Sequence, residues 1–230
     1  SLLIPLFSPL RTCFIRSKVL SSKNFNLDLI IDNHYHLGGA TKSVNPRSYT
    51  PTVWSTLYEL FQPKTFIDFG CGLGQSISFF QRLGVEAIGI EGSKDTIQNS
   101  QLKDKITHND YTIKSAFDNG KDKEFDLGYS QEFLEYVPEK SLSNVIQDFK
   151  LCEQIAITHA LPGQPGHHHV NCRTSRYWVK RLQKEGFVFD KTLSLILRKL
   201  AKYESRLHSQ ITESHEKWFS YTGMIFHRSD

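Results

Sequence analysis

The residues with the clearest chemical potential are three glycines spaced two apart and an acid that follows them. The glycines end the run 65–74, whose first half is mostly apolar except for Asp68. Because glycine has no Cβ, such a loop can turn sharply and bring its backbone close to a ligand. About twenty residues later the apolar run 87–90 ends in Glu91, where a carboxylate can bind the two hydroxyls of a ribose. This spacing predicts the nucleotide-binding half of an open α/β sheet.

The spacing of the glycines restricts the ligand. A dinucleotide-binding loop needs G-x-G-x-x-G, and Gln75 stands where its third glycine would be. The sequence also lacks the G-x-x-x-x-G-K-[ST] pattern of a phosphate-binding P-loop. Two interpretations are left: a site for another nucleoside, or a glycine turn that binds nothing. The presence of Glu91 at the right separation favours the first.

The pattern D-x-G-x-G-x-G resembles the first motif of class I S-adenosylmethionine-dependent methyltransferases. The resemblance implies a Rossmann-like α/β fold: a seven-stranded, mostly parallel sheet with helices on both faces and an antiparallel last strand. It implies S-adenosyl-L-methionine as the cofactor, with Asp110 at the adenine, although an ordinary Asn-Asp turn explains Asp110 equally well. The cofactor-binding residues that it implies are Asp68, Gly70, Cys71, Gly72, Gly74, Glu91, Gly92, Asp110, Tyr111 and Ser130.

A second motif follows the predicted strand 125–130. Residues 131–138 resemble the fourth motif of the family, E-x-[LV]-E-H-[VI]-P, except that Tyr136 stands where histidine is usual. A role carried by that histidine is therefore not transferred to this chain. Glu132 and Glu135 are expected to open a helix, where the helix dipole by itself favours acids. Glu132 is also a candidate catalytic residue.

A third motif follows the predicted fifth strand, at the sheet edge where ligands of such folds bind. Residues 161–171 and the later Tyr-Trp pair at 177–178 resemble a PGQ-x-G-x-x-HVN loop and helix found in a subset of bacterial and viral methyltransferases. The resemblance makes His169 and Asn171 candidates for a base or a substrate contact. A structural role in holding the loop is the alternative.

The run of three histidines at 167–169 raises the question of a metal. Adjacent residues of an extended loop point alternately to opposite sides, so at most His167 and His169 share one side. A metal site would also need a ligand from elsewhere, such as His34, His36 or His159. We therefore predict no metal site.

Apolar periodicity and turn residues place these motifs on alternating strands and helices. Strands are predicted at 64–69, 85–91, 105–108, 125–130, 153–159, 187–190 and 221–228. Helices are predicted at 51–61, 75–83, 93–101, 141–150, 176–184 and 192–209. Thr50 and Ser93 are the expected N-caps of the first and third helices. The first and last helices are expected to bury Val53, Trp54, Leu57, Leu60 and Phe61, and Leu193, Ile196, Leu197, Leu200 and Leu207, respectively.

The elements predict one methyltransferase domain. It covers residues 51–230 and is preceded by an N-terminal arm and lead-in at 1–50. Residues 192–220, which comprise the long helix and the stretch after it, are expected to form an insertion before the last strand. In the family that position often contacts substrate.

The composition is typical of a globular, intracellular protein without a membrane partner. Hydrophobic residues make up 39% and charged residues 23% of the chain, and the four cysteines show no C-x-x-C spacing. We expect a cytoplasmic protein; the alternative is an organelle, because residues 1–25 are rich in Ser, Lys and Arg and contain no acid. Residues 170–230 carry twelve Lys or Arg against six Asp or Glu. This basic region either is solvated or contacts an anion.

The predicted function is in-line methyl transfer from S-adenosylmethionine to a hydroxyl or carboxylate of a small molecule or sugar. An N-P-P-Y loop, which marks transfer to amino groups, is absent, because the fourth strand ends in the residues 128–131, GYSQ. Two alternatives stay open: a cofactor-binding module without catalysis, and a nucleic-acid-directed methyltransferase that uses the basic C-terminal region. Aminopropyl transfer is less favoured.

Overall fold

The structure, a computed structural model, describes residues 45–117, 124–166, 168–209 and 217–229, without the side chains of 206–209. The expectations for the arm at 1–25, for His34, His36 and His167, and for the side chain of Leu207 lie outside these residues. The strands are β1 Thr65–Phe69, β2 Glu86–Glu91, β3 Ile106–His108, β4 Phe125–Ser130, β5 Cys152–Ile157, β6 Phe187–Asp190 and β7 Met224–Arg228. The α-helices are α1 Pro51–Phe61, α2 Gln75–Arg82, α3 Lys94–Asn99, α4 Leu142–Phe149, α5 Ser175–Gln183, α6 Lys191–Ser209 and α7 Phe219–Thr222.

The strands form one sheet in the order β3-β2-β1-β4-β5-β7-β6. The pairs from β3 to β5 are parallel, whereas β7 runs antiparallel between β5 and β6. The predicted α/β fold with an antiparallel last strand is therefore confirmed. The chain order reverses between β1 and β4, and ligands of open α/β sheets bind outside the carboxyl ends of the strands at such a point.

Both faces of the sheet are covered, which explains why the central strands are almost continuously apolar. Phe66 of β1 belongs to the core on the side of α1, α2 and α6. Its neighbours Ile67 and Phe69 belong to the core on the side of α4 and α5. A strand that alternates between two buried faces has no polar side.

Helix α1 begins as predicted but is capped differently. Thr50 occupies the N-cap position, yet its hydroxyl makes no capping bond and lies 3.2 Å from the Tyr129 hydroxyl. The Thr52 amide instead donates to Oε2 of Glu204 on α6, at 3.1 Å. Leu60, expected on the buried stripe, is 42% exposed. Periodicity gives the direction of a side chain but not where the covering surface ends.

Helix α6 buries most of the predicted stripe, since Leu197 is buried and Leu193 and Leu200 pack against the same core. Ile196, expected inside, is 48% exposed, whereas Ser194 and Glu204 are buried with Leu197. Their polar groups have partners in the fold, since the Ile225 amide donates to Ser194 Oγ at 2.9 Å. Polar residues with such partners can face a core, and no apolar pattern reveals them.

The residues after β4 do not open an α-helix as expected. Glu132 has a left-handed backbone with φ of 55°, and only a short 3₁₀ turn follows at Leu134–Tyr136. The Glu132 amide donates to Thr158 Oγ1 at 3.0 Å, which holds this turn against the end of β5. A tertiary contact therefore determines the turn, so the helix-dipole interpretation of these acids is wrong.

Across the described residues, no helix has both the length and the apolar character needed to cross a membrane.

Candidate active site

The glycine loop between β1 and α2 turns through three left-handed residues. Gly70, Gly72 and Gly74 have φ of 75°, 55° and 85°. A Cβ on Gly70 would lie 2.5 Å from the Phe133 ring, so glycine is required there for space as well as for conformation. The amides of Gly70 and Cys71 both donate to the Ile90 carbonyl, at 2.9 and 3.1 Å. The loop is thus fixed to β2.

Glu91, at the end of β2, holds the same loop with its side chain. Its Oε2 accepts a hydrogen bond from the Gly72 amide at 2.9 Å, and its Oε1 accepts one from the Ser93 amide at 2.8 Å. Burial raises the pKa of Glu91, while the hydrogen bonds from Ser93 and Gly72 act in the opposite direction. Each carboxylate oxygen can accept a further bond, so the group can also receive two hydroxyls.

Asp68 lies on β1 beneath the loop. It is buried, and its Oδ2 accepts a hydrogen bond from Ser76 Oγ in the first turn of α2. Burial raises the pKa of Asp68 to about 7, and the charge of Glu91 raises it further, while the bond from Ser76 lowers it. Asp68 therefore connects the strand, the helix and the loop.

A cleft of about 130 Å³ opens beside this loop, at the point where the strand order reverses. Its lining includes three acids, Asp68, Glu91 and Glu132, and none of its described lining residues is Lys or Arg. The lining residues are Asn45, Ser48, Trp54, Asp68, Gly70, Cys71, Gly72, Leu73, Gln75, Ser76, Glu91, Thr96, Tyr129, Gln131, Glu132 and Tyr136. Half of the predicted cofactor residues are among them.

The remaining predicted cofactor residues do not line the cleft. Gly74 and Gly92 lie next to it in sequence, and Ser130 is buried at the end of β4. Asp110 accepts bonds from the amide and hydroxyl of Thr112, at 2.8 and 2.7 Å, in a local turn. The Tyr111 hydroxyl donates to Asp148 in the core, at 2.8 Å.

Two carboxyl groups meet at the turn after β4. Glu132 lines the cleft, and Glu135 is fully buried behind it. Burial raises the pKa of both groups, and the charge of Glu135 raises that of Glu132 further, whereas Arg47 acts in the opposite direction. Like charges in a desolvated site do not ionise together easily, so this pair retains a proton near neutral pH.

The loop with the HVN sequence packs against this turn. The amides of Val170 and Asn171 both donate to the Glu135 carbonyl, at 2.9 and 3.0 Å. The buried Asn171 side chain also lies at hydrogen-bond distance from the Leu134 carbonyl, 3.5 Å. The loop residues therefore hold the turn that carries the carboxyl pair.

His169 lies behind the lining of the cleft. Its ring packs edge-on against Tyr136, with the centroids 5.2 Å apart, and Tyr136 lines the cleft. The predicted catalytic residues are thus close together in the fold, but Glu132 alone among them lines the cleft.

The described histidines do not form a metal site with other residues. In the described part of the chain, no group of three or more His, Cys, Asp or Glu side chains has the arrangement to hold a metal ion. His159, considered as a further ligand, is buried with Nε2 3.0 Å from Ser175 Oγ and Nδ1 3.2 Å from the Ala160 carbonyl. Burial lowers the pKa of His159 to about 4.

Sequence reasoning missed the far wall of the cleft. Asn45 and Ser48 come from the lead-in, and Tyr129 and Gln131 come from the end of β4. The Tyr129 hydroxyl donates to Gln131 Oε1, and Thr50 joins this pair. Asn45 and Ser48 belong to no motif, and the resemblance at the fourth strand gave Tyr129 and Gln131 no role. Only the position of these two at the end of a central strand could have indicated them.

Comparisons with known proteins agree with this architecture. Residues 67–150 match a family model described as a methyltransferase domain. The fold is similar to that of the plantazolicin methyltransferase BpumL in complex with SAH, with a TM-score of 0.54 at 13% identity over 79% of this chain and 83% of that one. It is also similar to the magnesium protoporphyrin IX methyltransferase ChlM from Synechocystis PCC 6803 with bound SAH, with a TM-score of 0.51 at 16% identity over 78% and 83% of the two chains.

The methyltransferase domain of a bacterial protein, CtHen1-C, gives a TM-score of 0.52 at 15% identity over 80% of this chain and 98% of that one. At these identities the likeness shows a shared fold. No curated protein sequence matches this chain.

Proposed function

We propose that this chain is a class I S-adenosylmethionine-dependent methyltransferase that methylates a hydroxyl group of a small molecule or sugar, with Glu132 as the base. The match of residues 67–150 to a methyltransferase-domain family model supports the first part. The observation that carries this proposal is the Glu132–Glu135 carboxyl pair, whose outer member lines the cleft beside the glycine loop.

The residues present fit S-adenosylmethionine. The left-handed glycines leave the backbone free beside the cleft, and nothing lies within 4 Å of a Cβ built on Gly72. Glu91 has acceptor capacity left for two ribose hydroxyls. Gln75 and Ser76, in the first turn of α2, line the same space, and the first amides of a helix are the ones that lack a partner within it. When bound, the cofactor supplies a methyl group bonded to a positively charged sulfur. The rest of the cofactor is a good leaving group, because the sulfur becomes neutral when it loses the methyl group.

The protein then has to align the acceptor, exclude water and accept a proton. Glu132 is the titratable side chain best placed for the last task, because it lines the cleft. The pair holds one proton near neutral pH, and when that proton is on Glu135, the Glu132 carboxylate can accept another. A base with a raised pKa takes a hydroxyl proton more readily than an ordinary carboxylate does. The left-handed backbone of Glu132 supports this role, since strained residues cluster at functional sites.

The charge of the cleft favours a hydroxyl over a carboxylate acceptor. The described lining has three acids and no Lys or Arg, so an acceptor that brings its own negative charge would find no cation to pair with and would be repelled by whichever of these acids is ionised. The same repulsion disfavours the phosphates of a nucleic acid at this position. His169 and Asn171 are proposed to act on the reaction through the turn that they hold.

The test is a comparison of Glu132→Gln with Glu153→Gln, an exposed glutamate on β5. Both proteins are incubated with methyl-labelled S-adenosylmethionine and a panel of small molecules and sugars that differ in hydroxyl, carboxyl and amino groups. We expect Glu132→Gln to lower transfer to hydroxyl acceptors by about 100-fold or more, with unchanged affinity for SAH. The control should transfer at the parent rate.

Two results would contradict the proposal. Transfer at the parent rate by Glu132→Gln would show that Glu132 is not the base. A preference for carboxylate acceptors would show that the acids of the cleft do not exclude a negatively charged acceptor. SAH binding without transfer to any member of the panel would favour a non-catalytic module.

A further inference from the structure

The segment before α1 forms one wall of the cleft. Residues 45–49, called the roof segment here, contribute Asn45 and Ser48 to its lining. The segment contains one turn of its own, in which the amides of Ser48 and Tyr49 donate to the Asn45 carbonyl, at 3.0 and 3.2 Å. A single turn does not hold its position on a surface without tertiary contacts.

Two of those contacts are the packing of the Tyr49 ring on Trp54 and a 3.5 Å bond from Gln131 Nε2 to the Arg47 carbonyl. The others come from the far end of the chain. Lys217 is only 5% exposed, and its Nζ donates to the Pro46 carbonyl at 2.8 Å and to the Tyr49 carbonyl at 2.7 Å. One ammonium group therefore connects both ends of the roof segment. Hydrogen bonds from a charged donor are about twice as strong as neutral ones.

Trp218 adds two contacts at the middle of the segment. Its amide donates to the Arg47 carbonyl at 3.1 Å. The Arg47 guanidinium lies 4.9 Å from the centre of the Trp218 ring, a cation–π distance. Lys217 and Trp218 together thus contact the roof segment near both of its ends and at its middle.

The charge of the buried Lys217 is partly compensated by the nearby acid Glu204. Burial lowers the pKa of Lys217, whereas the charge of Glu204 on α6 raises it. Glu204 is itself buried and accepts the Thr52 amide at the start of α1. The region after α6 and the start of α1 therefore form one connected unit, more than 150 residues apart in sequence.

We propose that Lys217 is a positioning residue for binding of the methyl donor, because it holds the roof segment against the cleft. Lys217 does not line the cleft and contacts no reacting group. Its effect passes through the backbone carbonyls of Pro46 and Tyr49 to the neighbouring lining residues Asn45 and Ser48. The proposal rests on the donor site of the proposed function but not on Glu132 or on the acceptor.

The experiment measures SAH binding by calorimetry in the absence of acceptor. Lys217→Met keeps the length of the side chain and removes the charge and its donors. We expect it to raise the Kd for SAH about tenfold in a protein that still unfolds cooperatively. Lys202→Met, an exposed lysine on α6, is the matched control and should bind SAH like the parent. Lys217→Arg retains a charged donor and should recover most of the affinity.

A turnover measurement separates positioning from general damage. At a saturating concentration of the methyl donor, Lys217→Met should reach at least a third of the parent kcat. The loss of activity at lower donor concentrations would then come from a higher KM for the donor. If Lys217→Met does not fold, Trp218→Leu, which removes the contact with Arg47, is measured instead, with the same expected direction.

Unchanged SAH affinity in a folded Lys217→Met, or an equal loss in Lys202→Met, would overturn the proposal. Failure of Glu132 as the base would leave these binding results unaffected, so the two proposals are tested separately.

Discussion

The two sides of the cleft are built in different ways. On one side, the glycine-loop region at 65–93 is held by contacts between residues close in sequence, such as Gly72 with Glu91, nineteen positions apart. On the other, the carboxyl-pair region at 129–136 is held by distant partners. Glu132 contacts Thr158, twenty-six positions away, and Gln131 contacts Thr50, eighty-one positions away. The motif of the first side therefore gives its conformation, whereas the motif of the second side does not.

The difference also appears in the backbone. The left-handed positions of the first side are glycines, which adopt them at little cost. The second side places a glutamate, Glu132, in the same conformation. A side chain in that region costs about 1 kcal/mol or more, so contacts elsewhere must compensate for it. Substitutions on either side can test this contrast, from the largest expected effect to the smallest.

Gly70 is where the two sides meet, because a Cβ there would overlap Phe133. Gly70→Ala is expected to lower the free energy of unfolding by about 3 kcal/mol, the sum of backbone strain and overpacking. Gly84→Ala is the matched control, since Gly84 has a similar φ of 84° but nothing within 4 Å of a Cβ. It should cost about 1 kcal/mol. Equal losses in urea unfolding would show that the contact with Phe133 has no energetic weight.

Glu91 tests the side that a motif describes. Glu91→Gln can accept from only one of the amides of Gly72 and Ser93, and it presents a donor to the other. We expect SAH affinity to fall by about 30- to 100-fold, as measured by calorimetry. Glu86→Gln, at the exposed start of the same strand, should bind normally. Parent-like binding by Glu91→Gln would mean that the ribose is held elsewhere.

Asp68 predicts a pH dependence of stability. Its pKa is about 7 in the fold against an ordinary value of 3.8, so between these pH values the folded state binds more protons than the unfolded chain. The contribution of this group to stability therefore falls as the pH rises through that range. Between pH 5 and pH 8, the parent should lose roughly 2 kcal/mol relative to Asp68→Asn. Parallel stability curves for the two proteins would contradict the raised pKa.

His169 tests whether the second side acts as one unit. Its ring packs behind Tyr136 and does not line the cleft. We expect His169→Ala to lower turnover less than about tenfold, far below the effect of Glu132→Gln, with unchanged SAH affinity. A loss as large as that of Glu132→Gln would make His169 the better candidate for the base.

The predictable part of the molecule is the part with local causes. Apolar periodicity places each strand and all the described α-helices but α7 within a few residues, because the spacing of buried residues differs between strands and helices. The prediction of a strand from residue 221 is wrong at its start, since α7 covers Phe219–Thr222 and β7 begins at Met224. Ser93 caps α3 as expected, with its hydroxyl 3.2 Å from the Thr96 amide. Thr50 has the same sequence signature, but its hydroxyl faces Tyr129. A capping pattern predicts the bond only where no tertiary partner competes for the side chain.

The carboxyl pair shows what a pattern leaves open. Acids at Glu132 and Glu135 are equally compatible with a helix start, which the sequence pattern favours, and with a tight turn, which the structure has. The choice depends on Thr158 and on the loop amides at Val170 and Asn171. These groups come from the end of a different strand and from the loop after it, so no window of local sequence contains the information.

By itself, the sequence determined the fold class, the glycine loop and the acid at Glu91, because short-range sterics and the spacing of strand, loop and helix specify them. Only the tertiary structure decided which residues complete the cleft. Asn45 and Ser48 reach it because Lys217 holds their backbone, and Glu132 faces it because β5 and its loop fix the turn. Burial then sets the proton affinity of these acids, since desolvation depends on what surrounds a group and not on its neighbours in sequence.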